Sequence, residues 1–172
     1  MEITIPDEYF SDEELKNTPI RYQRFLDEWL RESNNFKFTV FPKPEGLDQM
    51  VTVKNIDFYS LCSHHLAPFI GKASIAYIPN EKICGLSKLA RVVDKFAHKP
   101  QVQERLTQEI ADYLIEQLSP LGLMVVLEAE HLCMSMRGIR RPGHKTITSA
   151  VKGLFTQAQV KSEFLSFMNG GK

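Results

Sequence analysis

Two short stretches rich in soft metal ligands, Cys62-Ser63-His64-His65 and His131-Leu132-Cys133, stand far apart in the chain, each beside a strand-like run. A fold that makes one site of them must bring the ends of two strands together. Cys62, His65 and Cys133 form a three-ligand set for Zn²⁺, whose preferred donors are thiolate and imidazole, with a fourth position open for chemistry. His64 and His131 are then surplus to the metal, and an imidazole that titrates near neutral pH suits general acid/base work.

The surrounding pattern is α+β. Residues 50–59 and 69–79 read as strands, rich in β-branched and aromatic side chains, and Pro79-Asn80 closes the second with a turn. Ile70, Lys72, Ser74, Ala76 and Ile78 share one face of that strand; Gly71, Ala73, Ile75 and Tyr77 share the other. A third strand is expected over residues 123–134, with Leu123, Val125, Leu127, Ala129, His131 and Cys133 on a common face. A fourth is expected over 146–155.

Helical spacing appears in four places. Thr18-Pro19 reads as an N-cap followed by proline at the first helical position, opening a helix to about Ser33 with Tyr22, Phe25, Leu26, Trp29 and Leu30 as its stripe. Residues 86–97 carry Leu86, Leu89, Val92, Val93 and Phe96 on one face, which groups Ser87, Lys88 and Arg91 on the surface. Pro100 is expected to start a longer helix to Leu118, with Val102, Leu106, Ile110, Tyr113, Leu114 and Leu118 inside and Gln103 and Glu104 in the first turn. A short last helix spans 160–168. Between the first helix and the first strand, Asn34, Asn35, Pro42, Pro44 and Gly46 punctuate a connection with an extended piece over residues 36–41.

The domain division expected from this pattern is an N-terminal arm (1–17), a single catalytic domain (18–168) and a flexible tail (169–172). With 172 residues, 43% hydrophobic and 24% charged, the chain suits one core. Its 21 basic and 21 acidic residues cancel, so no global charge draws it to nucleic acid or a membrane surface. A structural zinc protein binding nucleic acid through Arg137 to Lys145 is disfavoured on that ground. No leader or spanning segment is apparent, and a Cys/His cluster among three cysteines fits a reducing, cytoplasmic setting better than a disulfide framework. Cys84 reads as a small buried hydrophobe.

Taken with Gly85-Leu86-Ser87-Lys88-Leu89-Ala90-Arg91, Gln101-Val102-Gln103-Glu104-Arg105-Leu106-Thr107, His131-Leu132-Cys133-Met134 and Arg137-Gly138-Ile139, the Cys62-Ser63-His64-His65 stretch resembles the GTP cyclohydrolase I family. The resemblance runs over residues 18–165. It implies Zn²⁺ on Cys62, His65 and Cys133, and GTP as substrate, opened at its imidazole ring with loss of formate to give 7,8-dihydroneopterin triphosphate. It implies that His131 and His64 move protons, that Ser87 lies near the sugar, and that Glu104, beside Gln103, reads the guanine edge. Lys88, Arg91, Arg137, Arg21 and Arg24 are implied as triphosphate contacts.

The implied fold is the tunnelling fold: a four-stranded antiparallel sheet with two long helices on one face, plus an N-terminal helix, assembled as a homodecamer of two pentamers with sites between subunits. The product feeds folate, biopterin or deazapurine routes, tetrahydrofolate biosynthesis among them. One departure stands out, since the family usually has Glu where this chain has Ser63. That departure motivates the alternative of a purine- or pterin-binding relative with modified or incomplete chemistry.

Overall fold

The structure, a computed structural model, describes residues 6–31, 36–168 and 170. The expected helix end at Ser33, the Asn34-Asn35 break, the first five residues and the tail residues Asn169, Gly171 and Lys172 lie outside them.

Four long antiparallel strands make the sheet: β2 (Val51–Cys62), β3 (Pro68–Ile78), β6 (Gly122–His131) and β7 (Thr146–Gly153). A two-residue strand, β5 (Pro100–Gln101), adds in parallel beside β2, giving the order β5-β2-β3-β6-β7. The short strands β1 (Val40–Pro42) and β4 (Lys82–Cys84) pair separately. Helices α2 (Leu86–Ala97) and α3 (Gln103–Leu118) cover one face. Alternation decides which side chains they meet: Ala73, Ile75 and Tyr77 of β3 and Leu123, Val125, Leu127 and Ala129 of β6 are buried against Leu89, Val92 and Val93 of α2 and Leu106, Ile110 and Leu114 of α3. On the other face Ala76, Met124 and Val126 pack with Phe155 and with Phe164 of α5 (Ala158–Met168). Among the described residues no helix is long and apolar enough to cross a membrane.

Close approach of β3 and β6 depends on Gly71, where an added Cβ would stand 2.2 Å from the Glu128 carbonyl oxygen. β2 carries a bulge between Val53 and Ile56, with Asn55 at φ 61°.

The structure departs from the sequence reading at several element ends. The first helix, α1 (Asp12–Arg31), starts well before Thr18 and carries Pro19 inside it. Ser11 and Glu14 form a capping box: the Ser11 amide donates to Glu14 Oε2 at 2.8 Å and the Glu14 amide donates to Ser11 Oγ at 3.3 Å. The Ser11 amide and then the Ser11 hydroxyl, both donating to the carboxylate, hold the Glu14 carboxyl below its ordinary range. Asp12, Glu13 and Glu14 complement the helix dipole and, with the cap, oppose the cost of an internal proline, about 3 kcal/mol. The expected apolar stripe of α1 is largely exposed at Tyr22, Phe25 and Leu30, while Trp29 meets His98 at a tilt of 49° with ring centroids 4.8 Å apart.

Pro100 does not open a helix. It pairs with Leu61 and Gln101 pairs with Cys62, so α3 begins only at Gln103. Leu86, expected in the core, is 60% exposed at the first position of α2. The last strand stops at Gly153, and Leu154–Thr156 form a 3-10 turn.

Candidate active site

Strand β2 runs through Cys62 rather than ending before it, and β6 ends at His131 rather than Met134. Beyond His131 the chain coils into a single helical turn, α4 (Leu132–Ser135), so Cys133 is presented by a helix and not by the face of a strand. Because β2 and β6 both flank β3, their carboxyl ends lie at one end of the sheet. The two ligand-rich stretches meet there.

The ligand atoms of Cys62, His131 and Cys133 all lie within 4.8 Å of one another. Cys62 is buried; the other two are half-buried. Burial and the neighbouring Cys62 thiol push the Cys133 thiol up, with Arg137 opposing. Burial pushes the His131 imidazole down, and the Glu104 carboxylate opposes it. Two thiols this close, one of them held protonated by burial and by the other, are suited to a cation that compensates their charge when they ionise.

The turn after Cys62 is held by the Leu66 amide, which donates to the Cys62 carbonyl at 2.7 Å, and by the Ser63 amide, which donates to the Gln101 carbonyl at 2.8 Å. Leu66 takes φ 53° to close it. This turn sets the His64 ring against Cys62, with Nδ1 3.5 Å from Sγ. His65, expected as a ligand, is exposed and is not among the three residues whose ligand atoms converge, of which His131 is the third. Sequence spacing alone does not reveal which of two adjacent imidazoles a turn aims inward.

A cavity of about 220 Å³ opens over these groups, lined by Cys62, His64, Gln103, Glu104, His131 and Cys133, with Val102, Met134 and Thr146 at its walls. Glu104 reaches it from the first turn of α3 and is exposed there, free to meet a ligand. Gln103 is different. It is 1% exposed, and its amide is spent inside the protein on Leu127, Thr146, Thr148 and His131. Gln103, expected as a substrate contact, lines the cavity and bonds His131 Nε2 at 2.8 Å. Thr107 and Thr148, which complete that network, carried no signal in the sequence, since only the tertiary fold brings them together.

The expected phosphate contacts do not line this cavity. Ser87, Lys88 and Arg91 sit in the first turns of α2, where Lys88 Nζ donates to the Lys37 carbonyl at 2.8 Å. Arg21 is paired with Glu13 on the surface of α1 at 2.9 Å, and Arg24 is exposed on the same helix. Arg137 is exposed beside α4, near enough to Cys133 to act on its thiol.

The family model described as GTP cyclohydrolase I matches residues 3–169. The chain is 55% identical over 159 residues to GTP cyclohydrolase 1 of Aquifex aeolicus (strain VF5), covering 92% of this chain and 86% of that one. It is 54% identical over 157 residues to GTP cyclohydrolase 1 of Hydrogenobaculum sp. (strain Y04AAS1), covering 91% and 86%. In fold it is similar to the crystal structure of the archaeosine synthase QueF-Like in the apo form, at 16% identity and a TM-score of 0.51, covering 60% of this chain and 93% of that one.

Proposed function

We propose, for a chain that belongs to the GTP cyclohydrolase I family and has its tunnelling fold, the hydrolytic opening of the GTP imidazole ring with release of formate, then Amadori rearrangement and ring closure to 7,8-dihydroneopterin triphosphate. The observation that carries this reading is the convergence of two thiols, two imidazoles and the Glu104 carboxylate on one cavity. Relatives at this level of identity, named GTP cyclohydrolase 1, count against the reading as an incomplete enzyme.

The donor set fits zinc, because paired thiols with an imidazole are its preferred ligands. Cys62 and Cys133 are the proposed thiolate ligands. His65 is the proposed third, on the family pattern, which leaves His64 and His131 for proton transfer. Zinc held there supplies the Lewis acidity that activates water at neutral pH.

Glu104 accepts hydrogen bonds from the guanine N1–H and 2-amino group. Adenine offers no such donor pair, so a wrong base leaves the carboxylate unpaired. His131 delivers a proton to N7 as C8 is attacked, and the imidazole ring opens. His64 assists opening of the ribose, and Ser87 lies beside the sugar during the rearrangement. Lys88, Arg91, Arg137, Arg21 and Arg24 hold the triphosphate and so position C8.

That Ser87, Lys88 and Arg91 lie off the cavity of their own subunit favours sites completed between copies, in a decamer of two pentamers. Free thiols at Cys62, Cys84 and Cys133 suit the cytoplasm, and the product suits a role in tetrahydrofolate biosynthesis. The test is incubation of pure zinc-loaded protein with GTP, oxidation, and detection of fluorescent neopterin triphosphate. Absence of both pterin and formate sinks the proposal.

A further inference from the structure

Gln103 lies at the start of α3 with its side chain directed into the sheet. Two of the groups it meets are backbone carbonyls, Leu127 O at 3.1 Å and Thr146 O at 3.0 Å. Carbonyls only accept, so the amide nitrogen must face them. That choice settles the other end of the amide: the atom 2.8 Å from His131 Nε2 is the oxygen, Oε1. An amide oxygen also only accepts, so His131 Nε2 carries a hydrogen.

The hydroxyls around the amide agree with this orientation. Thr107 Oγ1 donates to the Gln103 carbonyl at 2.7 Å, which consumes its only hydrogen. Thr148 Oγ1, 2.6 Å from Thr107 Oγ1, must then donate to it. The remaining lone pair of Thr148 Oγ1, 3.1 Å from Gln103 Nε2, shares one of that nitrogen's two hydrogens with a neighbouring carbonyl. Reversing the amide would set its oxygen against two carbonyls and a hydroxyl whose hydrogen is already committed. Gln103 and Thr107 are 1% and 2% exposed, so water offers no rescue.

Turning the ring over would lose the bond to Gln103. His131 stacks on Phe69 with centroids 4.6 Å apart and planes 2° from parallel, and a flip about its long axis would present carbon to Gln103 Oε1.

We infer that Gln103 is a positioning residue that fixes His131 in the orientation and tautomer whose Nε2 carries a hydrogen toward the Gln103 oxygen, leaving Nδ1 without one in the neutral ring. This rests on the proposed cyclohydrolase reaction for its effect on rate, but not for the tautomer. The Gln103 bond persists whether His131 is neutral or charged, since Nε2 keeps its hydrogen in both states.

The test is nitrogen NMR of zinc-loaded protein with isotope-labelled histidine, His131 being assigned by its loss in His131→Asn. In the unaltered protein the expected result is a protonated Nε2 and an unprotonated Nδ1 in the neutral ring; the opposite tautomer overturns the inference, with no variant needed. In Gln103→Leu the tautomers should mix. The kcat for GTP should fall about ten- to a hundredfold, with KM changed less than about twofold and zinc per chain unchanged. Unchanged tautomer and kcat overturn the inference. So does a rise in KM alone, which marks a substrate contact. A protein inactive on GTP yet carrying the Nε2–H refutes the proposed function and leaves the positioning role standing.

Discussion

Phe69 and His131 are direct cross-strand partners on β3 and β6, and their rings lie stacked with centroids 4.6 Å apart. The same Phe69 is fully buried and meets Phe58 edge-on at 6.0 Å, so one residue joins the hydrophobic core to the base of the cavity. Core and chemistry share a wall there. Phe69→Ala is expected to cost about 3–5 kcal/mol of stability and to lower kcat in the protein that remains folded. Urea denaturation and single-turnover kinetics measure the two effects separately.

Metal retention discriminates between the candidate ligands. Cys62→Ser and Cys133→Ser should each abolish zinc binding and pterin formation, and chelation should reversibly do the same to the unaltered protein. The third ligand is decided by comparing His65→Ala with His131→Ala under metal analysis. Loss of zinc in the first and retention in the second supports His65, whereas the reverse assigns the metal to the triad whose atoms already converge.

Glu104→Ala should remove guanine recognition while leaving zinc in place. Two charge-assisted hydrogen bonds are at stake, each contributing about 1.5–3 kcal/mol, so kcat/KM for GTP should fall about 10²- to 10⁴-fold. Discrimination against ATP should shrink in parallel. Undiminished selectivity in steady-state competition assays would remove Glu104 from base reading.

Alkaline stability should report on Tyr77. Burial in the core, and then the neighbouring Cys84, push its hydroxyl up to about 12. Its ordinary value is about 10, so between those values the unfolded chain releases a proton that the native one keeps. Unfolding therefore becomes easier as pH rises through this window, while the contribution is fully present below about pH 10. The total at stake is about 2–3 kcal/mol. Tyr77→Phe should flatten the decline, as read from urea midpoints at about pH 9 and about pH 11. An equally steep decline in that variant assigns the effect elsewhere.

Strong alternation and clean helical spacing made the centre of the fold legible. The expected helix over residues 86–97 has those bounds in the structure, and the long strands fall where β-branched residues concentrate. Ends were less legible because local signals competed. Thr18-Pro19 looks like a helix start, but the Ser11–Glu14 capping box and three acidic first-turn residues lie upstream. Pro100 looks like another, but its neighbour pairs with Cys62 and draws the segment into the sheet. At the site, thiols and imidazoles were visible as chemistry. The role of Gln103 was not, because its partners at 107, 127, 146 and 148 become neighbours only once α3 lies across β6 and β7.

The two-residue strand β5 sets an angle as well as a contact. Gln101 is locked in register with Cys62, and the helix begins at Gln103, leaving Val102 as the only residue between. Each residue of an α-helix advances about 100° around its axis, so that single spacer fixes the rotational phase of α3. Lengthening it by one residue would swing the buried amide away from His131 without altering a residue of the helix itself. The distance from Gln101 to Gln103, counted in residues, is thus the timing gear of the site: it meshes a sheet that carries Cys62 and His131 with a helix that carries both the Glu104 carboxylate and the anchor of His131.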